Sequence, residues 1–134
     1  MRVEAYWNLH VGAWSVRALE GDDKGKVIGR WWAVYLEDVT LVSQRAGRER
    51  VRREGRKNVH AFARGTLVPG PYWSGYTGVA VTYNPYQHDT FVERETGTPV
   101  RSADAALLDT VEGRGKVFVT QPSSESPASR RQGR

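Results

Sequence analysis

Along most of the chain, apolar and polar residues alternate with the period of a β-strand. Val3, Ala5, Trp7 and Leu9 alternate with Arg2, Glu4, Tyr6, Asn8 and His10, the pattern of a strand with one face buried. Gly12 interrupts this run, and the alternation resumes over residues 13–19 with Trp14 and Val16 on one side, predicting a hairpin that turns near His10 to Gly12. A turn-rich stretch from Gly21 to Gly25 follows. Residues 26–43 read as one long strand, or as two strands bent at Trp31 and Trp32. Val34 and Leu36 face one way with Asp38, and Tyr35, Val39 and Leu41 partly the other. Further strands are expected over residues 58–68, 79–83, 90–95, 103–109 and 116–120. In the first of these, Asn58, His60, Phe62 and Arg64 share a face.

One segment departs from the alternation. Residues 44–54 are rich in helix-forming side chains and lie between Ser43, a candidate cap, and Gly55, a candidate stop. Glu49 with Arg53, and Arg50 with Glu54, are spaced for helical ion pairs. Gly47, Val51 and Gly55 make a narrow stripe by which this helix could lie on a sheet. The pattern therefore predicts an α+β fold: about eight short antiparallel strands in a strongly bent sheet or partly open barrel, with one short basic helix. Residues 1–120 are expected to form a single compact domain. Residues 121–134, rich in Ser, Pro and Arg, are expected to be a disordered tail.

Composition narrows the chemistry. The 134 residues include no cysteine, which excludes disulfides, thiolate metal sites and a thiol nucleophile. No apolar run approaches a signal peptide or a membrane span, so a cytoplasmic protein with no membrane partner is expected. Fourteen aromatic residues, five of them Trp, compensate for a modest apolar content; Trp7 and Trp14 fall on core registers. Trp31 and Trp32 should place one ring on each face of the sheet. Tyr72, Trp73 and Tyr76 stand in a loop that could cover a ligand or dock a partner subunit, and such aromatics are compatible with a homodimer or higher oligomer.

The net charge of +5 has one source. Between Arg45 and Lys57 there are seven cations and two anions, and elsewhere thirteen cations balance thirteen anions. A charge excess concentrated in one segment focuses a field on anions.

Four blocks carry a family resemblance. They are Tyr6-Trp7-Asn8-Leu9-His10 with Trp14-Ser15-Val16; Gly47-Arg48-Glu49-Arg50-Val51 leading into Arg53-Glu54-Gly55-Arg56-Lys57-Asn58-Val59-His60-Ala61-Phe62 and Gly65; Val81-Thr82-Tyr83-Asn84-Pro85-Tyr86; and Gly115-Lys116-Val117-Phe118-Val119. Together they resemble a family of small proteins encoded by tailed bacteriophages and prophages. The likeness runs to about Thr120; the aromatic loop at 69–78 and the basic tail depart from it. The resemblance implies a phage context, hence a host cytoplasm and a role against host defence or on host machinery. It transfers no catalytic residue.

Candidate chemistry gathers on a few side chains. Arg53, Arg56, Lys57, Asn58, His60, Phe62 and Arg64 combine donors for a phosphate with a flat apolar surface for a base. Tyr83, Asn84 and Tyr86 offer amide and hydroxyl partners for a base edge or ribose, as do Asn8 and His10 on the first strand if it neighbours the one that bears His60. The reading favoured is a non-catalytic protein that binds a phosphate-bearing small molecule, a cyclic or linear nucleotide acting as a host-defence signal. The alternatives are a DNA- or RNA-binding protein using the basic helix and tail, and an inhibitor docking on an acidic surface of a host protein. A phosphodiesterase or ribonuclease would need His10 and His60 to meet as an acid–base pair. No metal-ligand spacing and no cofactor motif is present, so no metal and no cofactor is expected.

Overall fold

The computed structural model describes residues 1–69, 78–120 and 123. Among these residues nine strands and one helix follow one another as β1 (Arg2–Asn8), β2 (Ala13–Ala18), β3 (Val27–Trp31), β4 (Val34–Ser43), α1 (Arg45–Glu54), β5 (Ala61–Val68), β6 (Val79–Thr82), β7 (Val92–Glu93), β8 (Ser102–Val111) and β9 (Arg114–Thr120). They form one antiparallel sheet in the order β3-β2-β1-β5-β4-β8-β9-β6-β7. The expected eight strands become nine because the chain bends at Trp32, whose carbonyl accepts the Thr110 hydroxyl at 2.7 Å, and β3 and β4 are separate. Neither Trp31 nor Trp32 ends up under the sheet: their exposures are 38% and 74%.

The sheet is rolled but not closed. β2 and β8 stand four places apart, about 19 Å in a flat sheet. Yet the Trp14 indole N–H donates to the Asp109 carbonyl at 2.9 Å. Gly115 of β9 lies so close to the indoles of Trp7 and Trp14 that an added Cβ would stand 2.7 and 3.0 Å from them. Only a strong bend brings these strands face to face. β3 and β7 remain as the two outer strands.

The concave side holds the core. Val3, Ala5, Trp14 and Val16 pack with Leu36, Leu41, Ala63, Leu108, Val117 and Val119. In β4 the apolar residues change phase. Asp38 takes a left-handed φ of +50°, and the register against β5 shifts between Glu37 and Thr40. This bulge corrects the alternation expected for residues 34–41. Val39 and Leu41 join Val34 and Leu36 on the buried side, and Asp38 is turned out to solvent.

α1 interrupts what would otherwise be a hairpin of β4 and β5. Its N-cap is Gln44, with no side-chain cap, so the cap expected from Ser43 is not formed. Gly55 does end the helix, at φ +69°, its N–H bonded to the Val51 carbonyl at 2.8 Å. The ion pairs also differ from those expected: Glu49 pairs back to Arg45 at 3.0 Å, and Glu54 with its neighbour Arg53 at 3.7 Å. The sheet-facing residues of α1 are Arg48 and Val51, with Gly47 between helix and sheet. The segment expected to begin a strand at Asn58 does so only at Ala61, because Asn58 and His60 are engaged with the helix. Of the expected tail, residues 121–122 and 124–134 lie outside the described residues, as does most of the aromatic loop (70–77). Ser123 bridges back to Ser102.

Candidate functional site

Where α1 meets the sheet, a chain of hydrogen bonds runs through five side chains. The Asn58 amide nitrogen donates to the Gly47 carbonyl at 3.3 Å, which turns its oxygen toward the His60 Nδ1 at 3.0 Å. Nδ1 also faces the Asn58 carbonyl at 3.1 Å, so both of its partners are acceptors and Nδ1 carries the hydrogen. His60 Nε2 therefore accepts from the Tyr83 hydroxyl at 2.7 Å. That hydroxyl accepts in turn from Ser43 Oγ at 2.9 Å, and Ser43 Oγ accepts from Arg48 at 3.1 Å. Arg48 also donates to the Asp89 carbonyl at 2.8 Å, with its Nε 3.5 Å from the Asp89 carboxylate. Every donor in this chain points the same way, from the guanidinium to the Asn58 oxygens, so the side chains satisfy one another in sequence, except that the buried Arg48 Nε makes no hydrogen bond.

The residues singled out in the sequence divide between this network and the surface. Asn58, His60 and Tyr83 are brought together, with both nitrogens of His60 occupied and the residue only 5% exposed. Phe62 is buried against Tyr6, and Arg64 lies over the Phe62 ring while pairing with Glu4 at 2.7 Å. Asn84 and Asn8 shape turns: the Asn84 carboxamide oxygen accepts from the Tyr86 N–H, and that of Asn8 from the N–H groups of His10 and Val11. Tyr86 and His10 are exposed. No hydrogen bond or ring contact among the described residues joins His10 to His60, so the geometry offers no acid–base pair. Among the described residues no group of three His, Asp or Glu side chains could hold a metal ion. Among the described residues no helix is long and apolar enough to cross a membrane.

The seven cations of residues 45–57 are unequal. Arg48 is buried, and Arg52 binds the turn after β6 through the Pro85 and His88 carbonyls and the Asp89 carboxylate. Arg45 is paired with Glu49; the guanidinium holds the Glu49 carboxyl below the usual carboxylate range, and the carboxylate raises Arg45. Arg50, Arg56 and Lys57 are exposed with no ion-pair partner among the described residues, and Arg53 is exposed with only Glu54 beside it. Arg48, Ser43 and Asp89 are not among the site residues expected from the sequence. Their partners are 5 to 41 positions away, and no local pattern marks such contacts.

A second feature lies inside the roll of the sheet. A cavity of about 350 Å³ is lined by the aromatic rings of Trp7, Trp14, Tyr83 and Phe91, with Ala5, Ala61, Ala63 and Gly115 in its walls. Trp7 and Trp14 meet edge to face at 5.4 Å, and Tyr83 and Phe91 are tilted together at 5.2 Å. Arg94 and Lys116 also line it, and among the described residues no Asp or Glu does.

The comparisons agree with the phage resemblance. A sequence model of the Mycobacterium phage L5 gene 82 protein family matches residues 1–116. The gene 82 protein of Mycobacterium phage L5 is 43% identical over 114 residues, which is 81% of this chain and 90% of that protein. No solved structure matches. The chain belongs to the phage L5 gene 82 protein family.

Proposed function

We propose that this phage-family protein is a non-catalytic binding protein for a phosphate-bearing partner, and that its contact surface is the end of α1 with the segment that follows. One observation carries the reading: Arg50, Arg53, Arg56 and Lys57 face solvent around a single Glu54, whereas Arg48 of the same run is buried and Arg52 is paired with the turn after β6. Solubility does not require four cations side by side when the rest of the chain is balanced. A small nucleotide enclosed by Arg53, Arg56, Lys57, His60 and Tyr83 fits less well, since His60 and Tyr83 use their polar atoms on each other. An exposed row of cations suits the spaced phosphates of a nucleic-acid backbone.

The test is fluorescence anisotropy of the full chain with labelled 20-nucleotide DNA and RNA over a range of salt. Four phosphate contacts predict a log–log slope near about −3 to −4. Replacing Arg53, Arg56 and Lys57 by Gln should flatten the slope by about three contacts' worth and weaken binding to every sequence alike. If no nucleic acid binds at low salt while the protein captures an acidic host protein through these same residues, the nucleic-acid reading is wrong. If the triple variant binds as the parent does, the assigned surface is wrong.

A further inference from the structure

We infer that the cavity inside the rolled sheet is a second binding site, distinct from the cationic face of α1, and that it takes a flat aromatic anion of one or two rings. The cavity opens to solvent at a rim that includes the exposed Thr82 and Arg94, so a ligand can reach it. Ala5, Ala61 and Ala63 put only small side chains in its walls, and at Gly115 the Trp7 and Trp14 indoles pack directly on the backbone. The volume of about 350 Å³ is at the small end of ligand pockets.

The walls present ring surface. The Trp14 N–H is committed to the Asp109 carbonyl, and the Tyr83 hydroxyl to His60 and Ser43. Both side chains thus keep their polar ends occupied, and their rings are held in place before any ligand arrives. The Trp7–Trp14 pair comes from β1 and β2, the Tyr83–Phe91 pair from the chain around β6 and β7, at opposite ends of the strand order. A planar ring in the cavity would find aromatic surface from both pairs in the lining.

The charge of the lining sets the sign of the ligand. Arg94 and Lys116 have no ion-pair partner among the described residues, and Asp109, opposite Lys116 across the strands, turns its carboxylate to the Thr110 N–H instead. With two cations and no carboxylate lining the cavity, a carboxylate, sulfonate or phosphate on the ring is favoured over a neutral or cationic group.

The experiment is isothermal titration of the full chain, with tryptophan fluorescence read in parallel, using adenosine 5′-monophosphate, 1-naphthalenesulfonate and neutral indole. At least one anion should bind about tenfold or more tightly than indole. The Arg94→Gln/Lys116→Gln variant should remove that preference and leave indole unchanged, and Ala61→Leu should weaken all three. If Ala61→Leu fails to fold, the charge variant alone decides. Tighter binding of adenosine 5′-monophosphate would identify a nucleotide, and tighter binding of the sulfonate a non-nucleotide aromatic anion. The Arg53, Arg56 and Lys57 replacements should leave these titrations unaltered, so this site and the α1 surface stand or fall separately. The inference is overturned if neither anion binds below millimolar concentration, or if binding is indifferent to Arg94 and Lys116.

Discussion

The Tyr83 hydroxyl stands 2.7 Å from His60 Nε2, and this bond joins two halves of the molecule. His60 precedes β5 and carries the helix-facing end of the network; Tyr83 follows β6 and forms part of the cavity wall. The same phenol thus closes the polar chain with one end and offers a ring face with the other.

Tyr83→Phe should keep the ring and lose the chain. His60 Nε2 would then be buried without a donor, and Ser43 without an acceptor, at a cost of about 1–3 kcal/mol. Urea denaturation of the variant should show a lower midpoint with an unchanged slope. An unchanged midpoint would mean that water already substitutes for the bond.

Gly47→Ala should destabilise the protein, against the helix propensity of alanine, which favours the change by about 1 kcal/mol. An added Cβ would overlap the His60 Cβ and stand 3.2 Å from the Asn58 oxygen, so α1 would have to lift from the sheet. The expected net loss is about 1–3 kcal/mol by thermal denaturation. A rise in midpoint would show that the helix is free to shift.

Two arginines two residues apart should behave differently. Arg48→Ala removes the bonds to Ser43 and to the Asp89 carbonyl and should cost about 1–3 kcal/mol. Arg50→Ala, on the exposed side, should change stability by less than about 0.5 kcal/mol. Equal losses in chemical denaturation would contradict the division of the cations into inner and outer sets.

The Arg45–Glu49 pair predicts a small acid dependence. Glu49 is held below its ordinary value in the folded chain, so its contribution is present above the unfolded carboxylate pKa and is lost as pH falls through the lowered folded value. Glu49→Gln should therefore melt slightly below the parent at pH 7 and coincide with it once the parent's Glu49 is protonated in the folded and the unfolded chain alike. Measuring both melting points from pH 7 down to 3 checks the sign, and a gap that widens toward acid would refute it.

Much of this was written in local order. Period-two runs placed nearly all the strands, because one buried face leaves a trace at every second residue. The change of composition at Gln44 and the glycine at position 55 placed the helix, because propensity and a left-handed stop act within a turn. The lack of cysteine and the clustered arginines are likewise properties of the chain alone. Three things waited for tertiary structure. The bulge at Asp38, which returns Val39 and Leu41 to the core, depends on pairing with β5. The fate of each cation depends on what lies beneath it: Arg48 reaches Ser43 and Asp89, while Arg50 is exposed with no ion-pair partner among the described residues. The cavity exists because the sheet rolls until Trp14 meets Asp109, a contact between residues 95 positions apart. Local periodicity reports which face is buried; it carries no information about which distant surface closes over that face.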